Sequence, residues 1–289
     1  MEALECFSLN VEDTLDYLEM MLHLRTAGFK QSANLIHLFQ GGSHQHGAAI
    51  PGKVSDIDIF GVYIEPPVKV LGVSGETHFT AGTEDQYIKN KPGDEDYKCY
   101  TLRRWAGLAC KGNPTILGFL YTPCQMPGVW EDLVIPNKDL FKASSHAKAF
   151  LGYAKGQVKR LDPVDGSGKG KHGQRSELEK LFGYDTKAAM HLMRLMFEAE
   201  EYMNTGNITY PRPEKDLLLA IRQGAWTWDK LFSEYAAAEK QVEDAMAKSK
   251  LPKHIDRDAI SNLITKCYIR HWEQIGYLED YTSQVQPAI

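Results

Sequence analysis

Hydrophobic and polar positions follow different periods in the two halves of the chain. In the first half, apolar runs at 34–39 and 55–64 end at glycine or proline, which predicts two β-strands. The stretch 97–102 predicts a third strand. Apolar residues at helical spacing predict helices over 11–27 and 102–111, the second of which stops at a Gly-Asn-Pro signal.

After residue 143, apolar residues recur every three or four positions, which is typical of helices. A proline-marked stretch with Pro123, Pro127 and Pro136 precedes this part, so we expect one domain over 1–125 and another over 126–289. A glycine-rich loop is predicted at 162–173. The predicted helices are 147–161, 187–203, 214–222, 227–248 and 256–275.

Composition limits the class of protein. The 289 residues suffice for one large domain or two medium ones, and a net charge of −5 means that any contact with nucleic acid has to be local. The five cysteines are widely spaced and form no CxxC pair, which argues against a zinc knuckle or a disulfide framework. The acidic first 20 residues argue against a secretory signal, and no apolar run has the length of a membrane span. We therefore expect a cytoplasmic protein with no membrane contact.

Two aspartates lie in the second predicted strand and are separated by a single residue. Because side chains alternate along a strand, Asp56 and Asp58 share one face, and their like charges favour a bound divalent cation. Carboxylate oxygens are hard ligands, so magnesium is a better fit than zinc. The alternative interpretation is a surface strand with two solvated carboxylates.

A Gly-Gly-Ser string at 41–43, followed by a polar loop over 44–54, comes just before this pair. In such a turn, the backbone at Gly42 and the hydroxyl of Ser43 suit a phosphate, although the string alone also occurs in ordinary turns. A two-metal site usually needs a third carboxylate, and Asp96 at the start of the third strand is our choice. Asp94 and Glu95 are close rivals, and all three could form a solvated turn.

The combination of Gly42-Ser43 with Asp56-Ile57-Asp58 resembles the signature of the DNA polymerase β-like nucleotidyltransferase superfamily. Longer strings resemble a predicted nucleotidyltransferase family that includes the RNA-ligase-associated polymerase-β-like proteins. These strings are Gly42-Ser43-His44-Gln45-His46-Gly47, Ser55 to Tyr63, Leu102-Arg103-Arg104-Trp105, Lys111 to Thr115, Tyr153-Ala154-Lys155-Gly156-Gln157, Lys187 to Leu195, and Ile221-Arg222-Gln223-Gly224.

The resemblance implies an α+β fold in which a small mixed sheet carries the aspartates and a mainly helical C-terminal domain follows. It implies transfer of a nucleoside monophosphate from an NTP to an acceptor hydroxyl, with an RNA end as one candidate, and release of pyrophosphate. Two Mg²⁺ ions, or Mn²⁺, would be held by Asp56, Asp58 and Asp96. His44 departs from the pattern, because relatives often have a basic residue there.

Cations in the second half are candidates for phosphate contacts. Lys155 belongs to a basic tract over 155–180 and to a matched string. Lys187 begins the helix that carries His191, Arg194 and Glu198 as one stripe. We predict that Lys155, Lys187, His191 and Arg194 bind the nucleotide. The alternatives are a solvated helix face for the tract and an internal ion pair for the stripe.

Two competing functions stay open at this stage. One is a module that binds a nucleotide or RNA without turnover, and the other is a protein-modifying nucleotidyltransferase of the toxin–antitoxin type. The base, the acceptor and the oligomeric state are not predicted.

Overall fold

A four-stranded mixed sheet forms the centre of the first half of the computed structural model, which describes residues 15–50, 56–73, 75, 77–82, 94–124, 126–161 and 174–279. The strand order is β1-β2-β4-β3, in which β2 and β4 are parallel and the other pairs are antiparallel. The strands are β1 (Leu35–Gln40), β2 (Ile57–Tyr63), β3 (His78–Gly82) and β4 (Glu95–Thr101). The expected small mixed sheet is confirmed, and β1, β2 and β4 match the predicted strands.

Strand β3 was not predicted from the sequence. It lies at the sheet edge, paired with β4 alone, and it holds only five residues, His78-Phe79-Thr80-Ala81-Gly82. Its side chains are exposed or half-buried, so it lacks the apolar run that identified the other strands.

Five helices accompany the sheet among the described residues of the first half. The first begins at the N-cap Asp16, whose carboxylate accepts from the Glu19 amide at 2.8 Å while the Glu19 side chain bonds back to the Asp16 amide. Residues 11–14 of that predicted helix lie outside the described residues. The helices are α1 (Tyr17–Thr26), α2 (Gly42–His46), α3 (Pro67–Leu71), α4 (Leu102–Ala109) and α5 (Pro114–Gly118).

Helix α2 corrects the prediction of a turn and loop after β1. The chain is helical from Gly42 to His46, and Gly47 ends the turn in the left-handed region at φ +68°. Gln45 secures this short helix, because its side-chain amide donates to the Thr122 hydroxyl at 2.9 Å. A helix of five residues is stabilised by such tertiary contacts, which a local pattern does not show.

The second half is helical, as predicted. Short 3₁₀ and π turns over 119–121 and 130–146 lead into it, and the predicted glycine-rich loop at 162–173 lies outside the described residues. Helix α7 was not predicted. The helices are α6 (Ala147–Leu161), α7 (Gln174–Phe182), α8 (Thr186–Thr205), α9 (Lys215–Arg222), α10 (Trp228–Lys248) and α11 (Arg257–Gln274).

Hydrophobic packing covers both faces of the sheet. Met20 and Leu24 of α1 form a small core with Ile59 and Tyr97, whereas Phe60 faces a larger core that continues through the C-terminal helices. Successive strand residues point to opposite faces, so Asp58 and Asp96 lie on the face of Phe60, toward the helical half.

Helix α11 returns to the first half of the chain. The Trp272 indole donates to the Glu65 carbonyl at 2.8 Å, and the Tyr268 hydroxyl donates to the buried Glu65 carboxylate. The larger core therefore crosses the region where we expect a domain boundary, and that boundary at residue 125 stays a prediction.

Two features of composition have structural counterparts. Cys99, Cys110, Cys124 and Cys267 are free thiols. Among the residues that the structure describes, no helix has the length and apolar character needed to cross a membrane.

Candidate metal and phosphate site

Asp58 and Asp96 are neighbours across two parallel strands. The register pairs the Cα of Asp58 on β2 with the Cα of Asp96 on β4, so their side chains leave the sheet on the same face. Asp56 lies just before β2, and the adjacent Ile57 amide donates to the Asp94 carbonyl at 2.8 Å. The fold thus places Asp58 and Asp96 side by side and puts Asp56 at the adjoining end of β2.

The rival carboxylate Glu95 lies on the other face of β4. Its carboxylate is 3.2 Å from His23 Nδ1 on α1 and accepts from the Tyr97 hydroxyl. Because β4 alternates its side chains, Glu95 and Asp96 point to opposite sides of the sheet. The geometry therefore favours Asp96 over Glu95 as the partner of Asp58.

Gly42 lies directly against Asp58. A Cβ placed on Gly42 would be 2.0 Å from Asp58 Oδ2, and Gly42 has a φ of +62°, where side chains are disfavoured. The preceding amide, Gly41 N–H, donates to the Asp58 carbonyl at 2.7 Å. Glycine is therefore required here for the close approach of α2 to the Asp58 carboxylate, and Ser43 follows in the first turn of α2.

Two lysines face the outer carboxylates. Lys98 Nζ is 3.7 Å from Asp96 Oδ2, and Lys187 Nζ at the start of α8 is 3.7 Å from Asp56 Oδ2. Burial raises the pKa of the Asp58 carboxyl above its ordinary value; Lys98 opposes this rise, and the charges of Asp96 and Asp56 add to it. The carboxylates are thus close enough to influence one another.

The carboxylates do not converge into a finished metal cage. Across the described ranges, no group of three or more His, Cys, Asp or Glu side chains meets the spacing of a metal site. Metal binding by Asp56, Asp58 and Asp96 stays a prediction. It would require Asp56 and Asp96 to turn from their lysines toward Asp58, and both lysine contacts are long and partly exposed.

The predicted stripe on α8 faces the first half of the chain. Its first residue, Lys187, meets Asp56, and Glu198 at its far end lies 3.4 Å from the His46 Nδ1 of α2. Arg194 donates to both oxygens of the buried Glu198 at 2.9 and 3.0 Å. The ion pair between Arg194 and Glu198, which was the alternative to nucleotide binding by this stripe, is therefore present. It lies next to His46 of α2.

His191 lies in a cationic environment. Burial lowers its pKa well below the ordinary value, and Arg194, Lys187, Arg222 and Arg160 lower it further, in that order. The imidazole is therefore neutral at pH 7. Any contact of His191 with a phosphate would be a hydrogen bond from a neutral ring.

Lys155 is not brought to the aspartates. It is exposed on α6, and its ammonium lies 3.8 Å from the Glu239 carboxylate of α10. Its predicted contact with phosphate receives no support from this geometry.

Lys98 and Arg222, which were not predicted as site residues, both lie near the aspartates. Arg222 at the end of α9 donates to the Ala48 carbonyl at 2.8 Å, and its pKa is lowered by burial and raised by the nearby Asp56. Lys98 could have been found, because it lies two residues after Asp96 on the same strand face. Arg222 lies in one of the matched sequence strings, but no other feature of the sequence pointed to it. Its position depends on the tertiary packing of loops and helices.

The fold combines a mixed sheet with aspartates on adjacent strands, a Gly-Ser helix start against one of these aspartates, and a helical C-terminal half. These features define a DNA polymerase β-like nucleotidyltransferase fold. A family model described as "RNA repair pathway DNA polymerase beta family" matches residues 18–264. This covers most of the 289 residues, and the chain belongs to that family. The resemblance inferred from the sequence strings is confirmed.

A protein of Enterobacteria phage T4, described as an uncharacterized 38.9 kDa protein in the nrdC-mobD intergenic region, is 28% identical over 125 residues. The matched segment is 41% of this chain and 36% of the phage protein. The chain therefore spans about a third of the length of that relative.

Proposed function

We propose that this protein is a Mg²⁺-dependent nucleotidyltransferase, which transfers a nucleoside monophosphate from an NTP to an acceptor hydroxyl and releases pyrophosphate. The observation that carries the proposal is the in-register pair of Asp58 and Asp96, with Asp56 beside them and Gly42 packed against Asp58. Membership of the polymerase β-like family supports the same reaction class.

The chemistry of the donor set fits the metal. Asp56, Asp58 and Asp96 offer hard carboxylate oxygens, which suit Mg²⁺ or Mn²⁺, and they would hold two such ions. When bound, these ions polarise phosphoryl oxygens and lower the pKa of an attacking hydroxyl. Lys98 and Lys187 now neutralise the outer carboxylates and would be released by the cations.

The residues around the carboxylates are suited to an anionic substrate. The backbone of Gly42 lies beside Asp58, and Ser43 follows in the first turn of α2, so the Gly42 amide and the Ser43 hydroxyl are candidates to donate to phosphate oxygens. Lys187 and Arg222 lie near Asp56 and supply positive charge. Fixed donors and cations of this kind stabilise charge that develops on the phosphoryl group during transfer, without reorganisation of solvent.

We place the acceptor on RNA, with a 3′ or 5′ end as the reacting group. The family is described by an RNA repair pathway, and this supports RNA over DNA or protein. The net charge of −5 means that such an acceptor would be held by local cations.

The proposal is tested by incubation of the protein with each α-³²P-labelled NTP, Mg²⁺ and separate pools of RNA, DNA and protein acceptors. We expect label on RNA and none after joint replacement of Asp56 and Asp58 by alanine. Label on protein alone would favour a protein-modifying enzyme. The absence of transferred label from every pool, or label that survives the double replacement, would refute the proposed reaction.

A further inference from the structure

His46, the last residue of α2, lies against the second half of the chain. Its Nδ1 is 3.4 Å from Oε1 of Glu198 on α8. Its ring packs edge-on against the Tyr210 ring with the centroids 5.3 Å apart, and its carbonyl accepts from the Arg212 amide at 3.2 Å. The His46 side chain is only 12% exposed. Helix α2, which follows β1 of the sheet, is thus anchored on residues of the helical half.

The carboxylate that faces His46 is fixed in place. Glu198 is fully buried, and Arg194 donates to both of its oxygens at 2.9 and 3.0 Å. Because both oxygens accept from a guanidinium, Glu198 is ionised, and a bidentate pair of this kind holds the carboxylate in one orientation. Glu198 is therefore a rigid acceptor with lone pairs to spare.

His46 has an unused donor beside this acceptor. Burial lowers the pKa of His46 well below its ordinary value, and the positive charge of Arg194 lowers it further, so the ring is neutral. A neutral ring that faces a carboxylate carries its proton on Nδ1. Among the described residues, the buried Nδ1 has no completed hydrogen bond, and Glu198 is an acceptor within reach of a small movement of α2.

The other end of the same helix lies against Asp58. A Cβ on Gly42 would be 2.0 Å from Asp58 Oδ2, and the Gly41 amide donates to the Asp58 carbonyl at 2.7 Å. His46 follows Gly42 by four residues, so about 6 Å of helix separates the two contacts. Rigid secondary elements carry a displacement from one end to the other. A shift of His46 therefore changes the contact between Gly42 and the Asp58 carboxylate.

We propose that His46 is a positioning residue for the Asp58 carboxylate, which it orients through α2 from its anchor on Glu198. This inference rests on the proposed nucleotidyl transfer, in which Asp58 is a metal ligand. A group that acts in the transition state has to be placed accurately, because a misplacement of about 1 Å can lower a rate by about 100-fold. The helical half thereby sets the geometry of a carboxylate on the sheet.

The test measures pyrophosphate release from the NTP that the wild-type protein prefers, with Mg²⁺ and RNA ends, and determines kcat and KM separately. His46→Asn keeps an N–H donor near the place of Nδ1, His46→Gln puts its amide near the place of Nε2, and His46→Leu has no donor. We expect His46→Gln and His46→Leu to lower kcat by about 10- to 100-fold while KM stays within about threefold. His46→Asn should keep kcat within about threefold of the wild-type value.

Two further measurements separate positioning from a general loss of stability. His146 is another buried histidine, whose Nδ1 lies 3.2 Å from the Tyr202 hydroxyl of α8, and His146→Leu should leave kcat and KM unchanged at a temperature where it is folded. If His46 acts through Glu198, His46→Leu combined with Glu198→Gln should be no slower than the slower single variant. Thermal melting shows the temperature at which every variant is folded.

Each result supports or overturns the positioning role. Equal kcat in His46→Asn and His46→Gln would overturn it, even if His46→Leu does not fold. An effect on KM alone, or an equal loss of kcat in His146→Leu, would also overturn it, and additive losses in the double variant would exclude the link through Glu198. If the wild-type protein is active, these outcomes leave the proposed function intact. If it releases no pyrophosphate from any NTP, the proposed function fails and this inference fails with it.

Discussion

Replacement of Gly42 by alanine tests how closely α2 is fitted against Asp58. Two separate costs follow from the geometry. An alanine at φ +62° adopts the left-handed region, which costs about 1–2 kcal/mol. Its Cβ would also lie 2.0 Å from Asp58 Oδ2, so either α2 or the carboxylate must move, and such crowding costs about 1–3 kcal/mol. We expect Gly42→Ala to lower the free energy of unfolding by about 2–5 kcal/mol.

Gly28→Ala is the matched control, because Gly28 also has a positive φ, +91°, but an added Cβ there meets no atom within 4 Å. Its cost should be the backbone term alone, about 1–2 kcal/mol. Asp58→Ala supplies the second comparison. It removes the two atoms that lie nearest to the new methyl group and leaves the residue-58 Cβ at 3.1 Å. The double-mutant cycle of Gly42→Ala and Asp58→Ala should therefore show a coupling of about 1–3 kcal/mol.

Urea denaturation followed by far-UV circular dichroism measures the wild-type protein and the four variants, and it needs no knowledge of the substrate. Equal costs for Gly42→Ala and Gly28→Ala would refute the close packing. So would a Gly42→Ala cost that is unchanged in the Asp58→Ala background.

Three further predictions follow from charges and burial. Lys187→Ala should weaken binding of an NTP with Mg²⁺ by about 3- to 10-fold in a calorimetric titration, whereas Lys155→Ala should change it less than about twofold, and the reverse order would contradict the placement of these lysines. His37 is buried and its pKa is lowered to about 3, so the folded protein resists a proton that the unfolded chain accepts below about pH 6.5. The contribution of His37 to the free energy of unfolding is therefore full above that pH and falls by about 2 kcal/mol toward pH 5. This pH-dependent loss should disappear in urea titrations of His37→Phe, and an unchanged pH slope in that variant would refute the prediction. Glu198→Ala should lower the free energy of unfolding by about 3–5 kcal/mol, because it leaves Arg194 buried without its partner. The double variant Arg194→Met with Glu198→Leu should recover much of this loss, and equal losses in the single and double variants would argue against a buried pair.

Local patterns identified the elements with strong apolar periodicity. The strands at Ile36 and Ile59 and the long helices of the second half were predicted because their apolar spacing repeats over many residues. Strand β3 and helix α2 were not, because each is only five residues long and depends on contacts with distant residues. Short elements of this kind carry too little periodicity to be recognised from the sequence.

The candidate site shows the same contrast between features that a local pattern predicts and features that depend on tertiary packing. Asp56 and Asp58 could be selected because two carboxylates share one strand face, which is a local property. The choice of Asp96 over Glu95 depended on the register of β4 against β2, which the sequence left open and the structure provides. The packing of α9 brings Arg222 near enough to Asp56 for the two charges to interact, and no local pattern predicts that placement.

The most direct test of the account is release of pyrophosphate from the preferred NTP by the wild-type protein, Asp58→Asn, Asp96→Asn and Glu95→Gln, with Mg²⁺ and RNA ends. Asp96 and Glu95 are sequence neighbours on opposite faces of β4, so each replacement controls for the other. We predict that Asp58→Asn and Asp96→Asn each lower the rate by at least about 100-fold, as expected for groups that hold transition-state charge, while Glu95→Gln stays within about threefold of the wild-type rate. Activity that persists in Asp96→Asn, or an equal loss in a folded Glu95→Gln, would contradict the assignment of this face of the sheet as the catalytic one.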